Sequence, residues 1–379
     1  MATATITAAN AVTRKSWANT AFRQHMTSFP LFSITDAGNG GTTLRGAIVV
    51  EDFESGEGDS KVYAFRAPKS ISTVKVGDQR VQGTGTTSGY GTDTVTLERF
   101  RDEMQVNNLT MSAIRTKLDI ENDTAKDLGD QAARFTLFRV MSALTDVTSG
   151  RTANRYQYGS LAANYNATHS VALANVDATD DKLTLDLLRK SVTKMRTKSS
   201  GIGYMQPAKF TTANGATVYK FIGLFHPNAI IDLKSDPDFK NSVYIKDTAM
   251  FDVISGASYV GEFEGVAIYS VDPVDGENDT LLVAGAGAGG INVAHNLILG
   301  AGALVLARGK VRPAAGNVKY SMEQNRRMMI TEVADDHGGD ALWAWTVVQG
   351  YRKLVDNSTV AGGEDYATFH LFTSAAAGF

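Results

Sequence analysis

The chain has 379 residues, a formal net charge of −3 and no cysteine. Its length allows two or three domains, each with its own core. The near-neutral balance leaves no global basic field for nucleic acid or anionic membrane, and the missing thiols exclude disulfides, thiolate zinc sites and cysteine nucleophiles together.

Residues 1–45 read as an arm rather than a domain. The opening MATATITAANAVTRKSW has no positive patch followed by an apolar core, so no secretory signal is expected. Val12, Trp17, Ala21, Phe22 and Met26 fall roughly on one helical face, and Pro30 closes the segment. Trp17 and Phe22 have little nearby to pack against, so they are expected to bury against another part of the fold or another subunit. SITDAGNGGTTLRG then forms a turn-rich linker.

Strand signals follow in AIVV (47–50) and KVYAFRA (61–67), which flank the acidic turn EDFESGEGD. A glycine-, threonine- and serine-rich excursion runs to about Thr94 and returns as TVTLERFRDEMQV, where Phe100, Met104 and Val106 share parity against Arg99, Arg101 and Glu103. The pattern predicts an unusually long hairpin, too thinly apolar for a core of its own; loops of that length are usually functional or disordered.

The clearest helix is predicted over 119–145. Leu128, Ala132, Phe135, Phe138, Met141 and Leu144 recur at spacings of three and four. Asp119, Glu121, Asp123, Asp127 and Asp130 crowd its first turns, with Arg134 and Arg139 further on, a polarity that suits the helix dipole. A second helix, LTLDLLRKSVTKMR, has Thr184 as N-cap, Leu187, Leu188, Val192 and Met195 inward, and Arg189, Lys190, Lys194 and Arg196 outward. YKFIGLF (219–225) is a strand that runs into a helix begun by Pro227. GVAIYSV (265–271) is another, and 326–333 and 341–355 form a hairpin around DDHGGD. Strands and helices mix without a βαβ rhythm, so the fold class is α+β. The longest apolar run, 297–307, is too short to span a bilayer, so no membrane partner is expected.

Gly285, Gly287 and Gly290 in AGAGAGGINVAHNLILGAGALVLARG match G-x-G-x-x-G behind an apolar run. A dinucleotide site needs a helix after the glycines and an acid about twenty residues on; here the next acid is Glu323. The reading favoured is a small-residue crossover, with a nucleotide-dependent oxidoreductase as its rival. The threonine, glycine and asparagine content keeps a surface β-rich adhesin as a second rival. No Walker loop or G-x-S-x-G elbow occurs, and the six histidines show no metal-binding spacing. His337 among Asp335, Asp336 and Asp340 reads as a solvated turn, and VDGENDT (274–280) lacks a calcium-loop glycine and terminal glutamate. The basic helix face around Lys190 is ordinarily a solvated surface; contact with enclosed nucleic acid is its rival reading. No catalytic, cofactor-binding or metal residues are assigned.

Arm, glycine-spaced hairpin, acidic-to-basic spine helix, mixed central part and closing hairpin, taken in order, resemble the major capsid protein of tailed bacteriophages, with the Hong Kong phage-type fold. The nearer likeness is to coat proteins of the N-four-like podophage group. It rests on FRDEMQVNNLTMSAIRTKLDIENDTAKDLGDQAARF, FHPNAIIDLKSDPDF, LILGAGALVLARGK and VADDHGGDALWAWTVVQGYRKLV, and spans about residues 10–356. The resemblance implies an N-terminal arm (1–45), an extended loop (46–110), a peripheral domain (111–180 and 300–379) and an axial domain (181–299). It implies a structural protein, not an enzyme, that assembles into pentamers and hexamers of an icosahedral head shell around phage DNA. Implied partners are further copies of the chain, a separate scaffolding protein, a portal, decoration proteins and non-specifically contacted double-stranded DNA on the inner face. Assembly would take place in the host bacterial cytoplasm.

Within that frame the residues suggest an assembly contact. Arg66, Lys69, Lys75 and Arg80 make the loop basic, and Asp119, Glu121, Asp123 and Asp127 make the helix start acidic. The basic loop of one copy is expected beside the acidic helix of the next, with Trp17 and Phe22 adding apolar burial. Lys69 and Lys75 lie in the loop without a recognisable partner asparagine or catalytic glutamate, so cross-linking chemistry is not inferred.

Overall fold

A computed structural model of the chain describes residues 24, 35–37, 46–53, 58–66, 74, 89–106, 120–196, 205–211, 217–241, 257–271, 279–312, 319–322, 326–334, 341–358 and 362–375. The first strands are β1 (Thr35–Ala37), β2 (Ile48–Asp52), β3 (Ser60–Arg66), β4 (Tyr90–Thr96) and β5 (Glu98–Val106). The long helix α1 (Ile120–Leu144) comes next, then β6 (Tyr156–Tyr158), α2 (His169–Ala174) and α3 (Leu185–Arg196). β7 (Ala208–Thr211) and β8 (Thr217–Phe225) lead to α4 (Pro227–Ser235) and α5 (Pro237–Asn241). β9 (Ala257–Phe263), β10 (Val266–Val271), β11 (Leu282–Val283), β12 (Val293–Leu299) and β13 (Leu304–Arg308) follow. The closing strands are β14 (Lys319–Met322), β15 (Met328–Ala334), β16 (Ala341–Lys353), β17 (Val355–Asp356), β18 (Glu364–Asp365) and β19 (Thr368–Ser374).

Two sheets organise these elements. One has seven strands in the order β1-β2-β13-β16-β15-β14, with β5 on the other side of β16. The other has eight, in the order β6-β19-β12-β8-β10-β9, with β11 on β12 and β7 on β8. α1 binds the two together. Its first half packs Ala125, Leu128 and Ala132 on Met328, Ile330, Trp343, Trp345 and Val347 of the seven-stranded sheet. Its second half places Leu137, Val140, Met141 and Leu144 in a core shared by Leu304 and Leu306 of that sheet and Ile222, Leu224, Leu297 and Leu299 of the other. α3 and α4 cover the far face of the eight-stranded sheet, against Phe221, Phe225, Ile298 and Phe369. β8 is thus covered on both faces, which is why FIGLF reads as an unbroken apolar run rather than an alternation.

Most expected elements form close to where the residues place them. α1 ends one residue inside the expected bounds at each side, the Leu187 N–H lies 3.3 Å from the Thr184 hydroxyl as an N-cap, and Pro227 opens α4. Three details differ. The returning hairpin strand is broken at Leu97: β4 pairs with β3, while β5 leaves to pair with β16. Of the parity set, Phe100 reaches the core, half-buried against Phe135, and Met104 is exposed on this edge strand; the side chain of Val106 lies outside the described residues. Finally, no base occupies the last turn of α1; Arg139 instead lies over the Phe100 ring at 5.2 Å.

Candidate assembly surfaces

β3 and β4 form a two-stranded ribbon, and period-2 alternation gives it two unlike faces. Gly91, Asp93 and Val95 are buried on one face with Phe65; Thr92, Thr94 and Thr96 are exposed on the other, with Val62 and Tyr90. The inner face sits on Val49, Phe53, Val305, Ala307 and Leu354. Phe65 meets Tyr366 with ring centroids 5.2 Å apart. Asp93 is the polar anchor: its carboxylate accepts from Arg352 Nε at 2.9 Å and from the Val355 N–H at 3.0 Å. Two glycines permit this approach. A Cβ on Gly91 would lie 2.5 Å from the Ser358 nitrogen, and one on Gly350 would lie 2.2 Å from the Thr96 carbonyl oxygen. Lys61 bonds Glu51 at 2.7 Å at the ribbon's base, and burial together with Glu51 pushes the Tyr63 hydroxyl pKa up. The outer face carries threonine, valine and alanine, with one charge at its end, Arg66, stacked 5.8 Å from the Tyr90 ring centroid.

On α1, Asp123 is half-exposed and pairs with Lys126 at 3.4 Å, and Asp127 is exposed. Asp130 accepts from Gln24 Nε2 at 2.8 Å, so a residue of the arm segment touches the helix within the same chain. Of the expected contact residues, Arg66, Asp123 and Asp127 are therefore placed on the surface. Glu121 falls within α1. Trp17, Phe22, Lys69, Lys75, Arg80 and Asp119 lie outside the described residues, as do His337 and its neighbouring acids.

The glycine run is no phosphate cradle. Such a cradle needs free N–H groups ahead of a helix, whereas here the chain enters strand β12 and four of these donors are already taken. Gly285 N–H donates to Asn292 Oδ1 at 2.9 Å, Gly287 N–H to the Ile291 carbonyl at 2.9 Å, Ala288 N–H to the Val176 carbonyl at 2.8 Å and Gly290 N–H to the Gly287 carbonyl at 3.0 Å. The passage between sheets occurs a few residues later, at 300–303, between β12 of one sheet and β13 of the other. A Cβ on Gly300 would stand 2.5 Å from the Gln206 carbonyl oxygen, and Gly302 has φ +75°.

The basic face of α3 is also occupied from within. Asp186 binds Lys190 at 2.9 Å and Arg189 at 3.7 Å, and the hydrogen bond from Lys190 holds its pKa below the usual carboxylate range. Arg196 donates to the Glu264 carbonyl at 2.7 Å, and Lys194, its pKa lowered by burial, bonds Gln157. All four basic groups thus have partners within the chain, with counter-charge supplied by Asp186 and Glu264 to Arg189 and Lys190.

A spine helix thus bridges two sheets, and a docked ribbon leaves its outer face bare. The chain belongs to the phage capsid protein family, whose sequence pattern fits residues 3–368. It is a structural component of the virion capsid and not an enzyme. No curated protein matches it in sequence. Solved capsids share the fold at low identity. The Cyanophage Pam1 capsid superposes with TM-score 0.65 at 17% identity, over 99% of this chain and 100% of that one. The capsid of Ralstonia phage GP4 gives 0.62 at 17%, over 92% and 91%. The acidic stable capsid of Helicobacter pylori bacteriophage KHP30 gives 0.61 at 15%, over 92% and 91%.

Proposed function

We propose that the chain is the repeating unit of an icosahedral head, assembled as pentamers and hexamers in the host bacterial cytoplasm and closed around double-stranded phage DNA. The observation that carries this reading is the ribbon: its inner face is anchored by Asp93, while its outer face is exposed and nearly uncharged. In this reading the loop beyond Arg66 reaches a neighbouring copy, with Arg66, Lys69, Lys75 and Arg80 beside Asp119, Glu121, Asp123 and Asp127 of that copy. Exposed pairs of this kind contribute about 0–1 kcal/mol each, so charge sets register and apolar contact, with Trp17 and Phe22, sets strength. We divide the chain into an arm (1–45), an extended loop (46–110), a peripheral part (111–180 and 300–379) and an axial part (181–299). β6 and β19, from the peripheral segments, complete the axial sheet. A separate scaffolding protein, a portal, decoration proteins and membership of the N-four-like podophage group belong to the same proposal. Negative-stain microscopy and sedimentation of the purified chain test it. Five- and six-membered rings or closed shells are expected; a monomer under all assembly conditions, including added scaffold, would refute it.

A further inference from the structure

Where β16 ends, charged and titratable groups meet in the interior, at the junction of the two sheets. Lys353, the last residue of β16, is 3% exposed; Asp365 of β18 and His370 of β19 are 0% exposed and His295 of β12 is 3% exposed. Lys353 Nζ donates to Asp365 Oδ2 at 3.0 Å, to Tyr156 Oη at 3.2 Å and to the Asp146 carbonyl just beyond α1. The same carboxylate oxygen accepts from Tyr156 Oη at 2.8 Å and from His370 Nε2 at 2.8 Å. His370 Nδ1 faces His295 Nε2 at 2.7 Å.

This chain of bonds fixes the protons. With His370 Nε2–H spent on Asp365, a neutral His370 offers a lone pair at Nδ1, so His295 must donate from Nε2. The charges nearby already balance. Lys353 pairs with Asp365, and buried Arg155 pairs with Glu364 at 3.1 Å. An added proton on either ring sets a second buried positive charge, with Lys353, against the single charge of Asp365, and on His370 it turns Nδ1 into a donor facing the His295 Nε2–H. The rings have little room to turn away: Tyr156 stacks on His370 at 4.2 Å and Phe372 on His295 at 4.3 Å. The remaining groups around them are Asp146, whose carboxylate is occupied by Thr148, and His169, bonded to Tyr158 Oη at 2.8 Å with Arg151 behind.

We propose that the chain Lys353–Asp365–His370–His295 is a proton-operated lock, which holds β12, β19 and the end of β16 together while both imidazoles are neutral and loosens them when the pair takes up a proton. The lock ties the end of β16 and the exit of α1 to β6, β12 and β19, so opening it loosens β12 and β19 from each other and from the end of β16, while the apolar core shared by the two sheets stays closed.

The direction follows from linkage. Burial holds His295 and His370 well below 6.5, so each contributes stability that is present above 6.5 and lost as pH falls. Burial pushes Asp365 up to about 7, which acts in the opposite sense over the same range. His169, lowered to about 4 by burial, acts with the pair, and Glu364, raised by burial, acts against it. From pH 6.5 to 5.0 each histidine multiplies the opening equilibrium by at most about 16, Asp365 divides it by about 20, and a net rise of about 10-fold remains.

Hydrogen exchange of the full-length chain at pH 6.5 and 5.0, corrected for the intrinsic rate, reads this opening. Protection in 293–299 and 368–374 is expected to fall about 10-fold, while 266–271 in the same sheet keeps its protection. In His295→Gln, whose amide still donates to His370 but cannot take up a proton, the acid response is expected to shrink at least tenfold. Equal protection of the wild type at both pH values overturns the proposal, as does a uniform loss along the chain or an undiminished response in His295→Gln.

Discussion

Replacing Asp93 with alanine tests whether one carboxylate holds the ribbon down. The substitution removes the acceptor of the Val355 N–H, a buried bond to a charged group, at a cost of about 1.5–3 kcal/mol. It also removes the pair with Arg352, whose side chain is 39% exposed, so that term is discounted to about 0–1 kcal/mol. The sum, about 2–4 kcal/mol, falls on local docking rather than on the whole fold, because few other groups hold the inner face: Val95, Phe65, half-buried Tyr63 and Leu97, and the Lys61–Glu51 pair. The undocked ribbon should become roughly 30- to 700-fold more populated. Limited proteolysis and hydrogen exchange over 90–96 measure this, with the core strands as internal reference. Asp93→Asn keeps an acceptor for Val355 and should lose less than half as much. A ribbon as protected in Asp93→Ala as in the wild type would refute the anchoring argument, and so would equal losses in the two variants.

Three further outcomes are expected. Trp343→Ala empties a site 1% exposed beneath α1 and should cost about 3–5 kcal/mol in urea unfolding, since the helix cannot collapse into the gap. Gly287→Val would bring a side chain within 2.5 Å of Ile291 and 2.9 Å of the Val176 carbonyl oxygen, and should lower the melting temperature and soluble yield; neither variant nor wild type should be stabilised by NAD or ATP in a thermal shift assay, and a ligand-dependent rescue would restore the nucleotide reading. Reversing Arg66, Lys69 and Lys75 together to glutamate should leave the circular dichroism and melting of the monomer within error while suppressing shells in micrographs; normal shells would refute the charge-register contact.

What the sequence discloses depends on whether the signal is local. α1 is legible because apolar residues recur at spacings of three and four in each half, Leu128 and Ala132 in the first and Leu137, Met141 and Leu144 in the second, although the buried face turns between the halves; the hairpin of β15 and β16 is legible because its strands flank an acidic turn. Local parity misleads at Met104, which has the right alternation but sits on an edge strand. Pairings between distant segments have no local signature. The parallel partnership of β2 with β13 is one case, and β19 beside β12 is another. The lock is the extreme example: His295 and His370 stand 75 residues apart and look scattered until β12 and β19 align. The alternation Gly91, Asp93, Val95 was available as a sign of a buried ribbon face, but the surrounding threonines and glycines obscure it.

The strand order also sets a timetable for the chain on the ribosome. β2 finds its partner at Leu304 and beyond, and β5 finds its partner in β16. At roughly 5–20 residues per second, the early strands leave the exit tunnel about 10–50 s before those partners are made. For that interval the apolar face of α1 has no sheet to lie on, and the edges of β2 and β5 are open to other nascent chains on the same message. The exposed Arg99, Arg101, Asp102 and Glu103 along β5 discourage such pairing. A capsid protein built this way therefore withholds its finished surface until translation has nearly run its course.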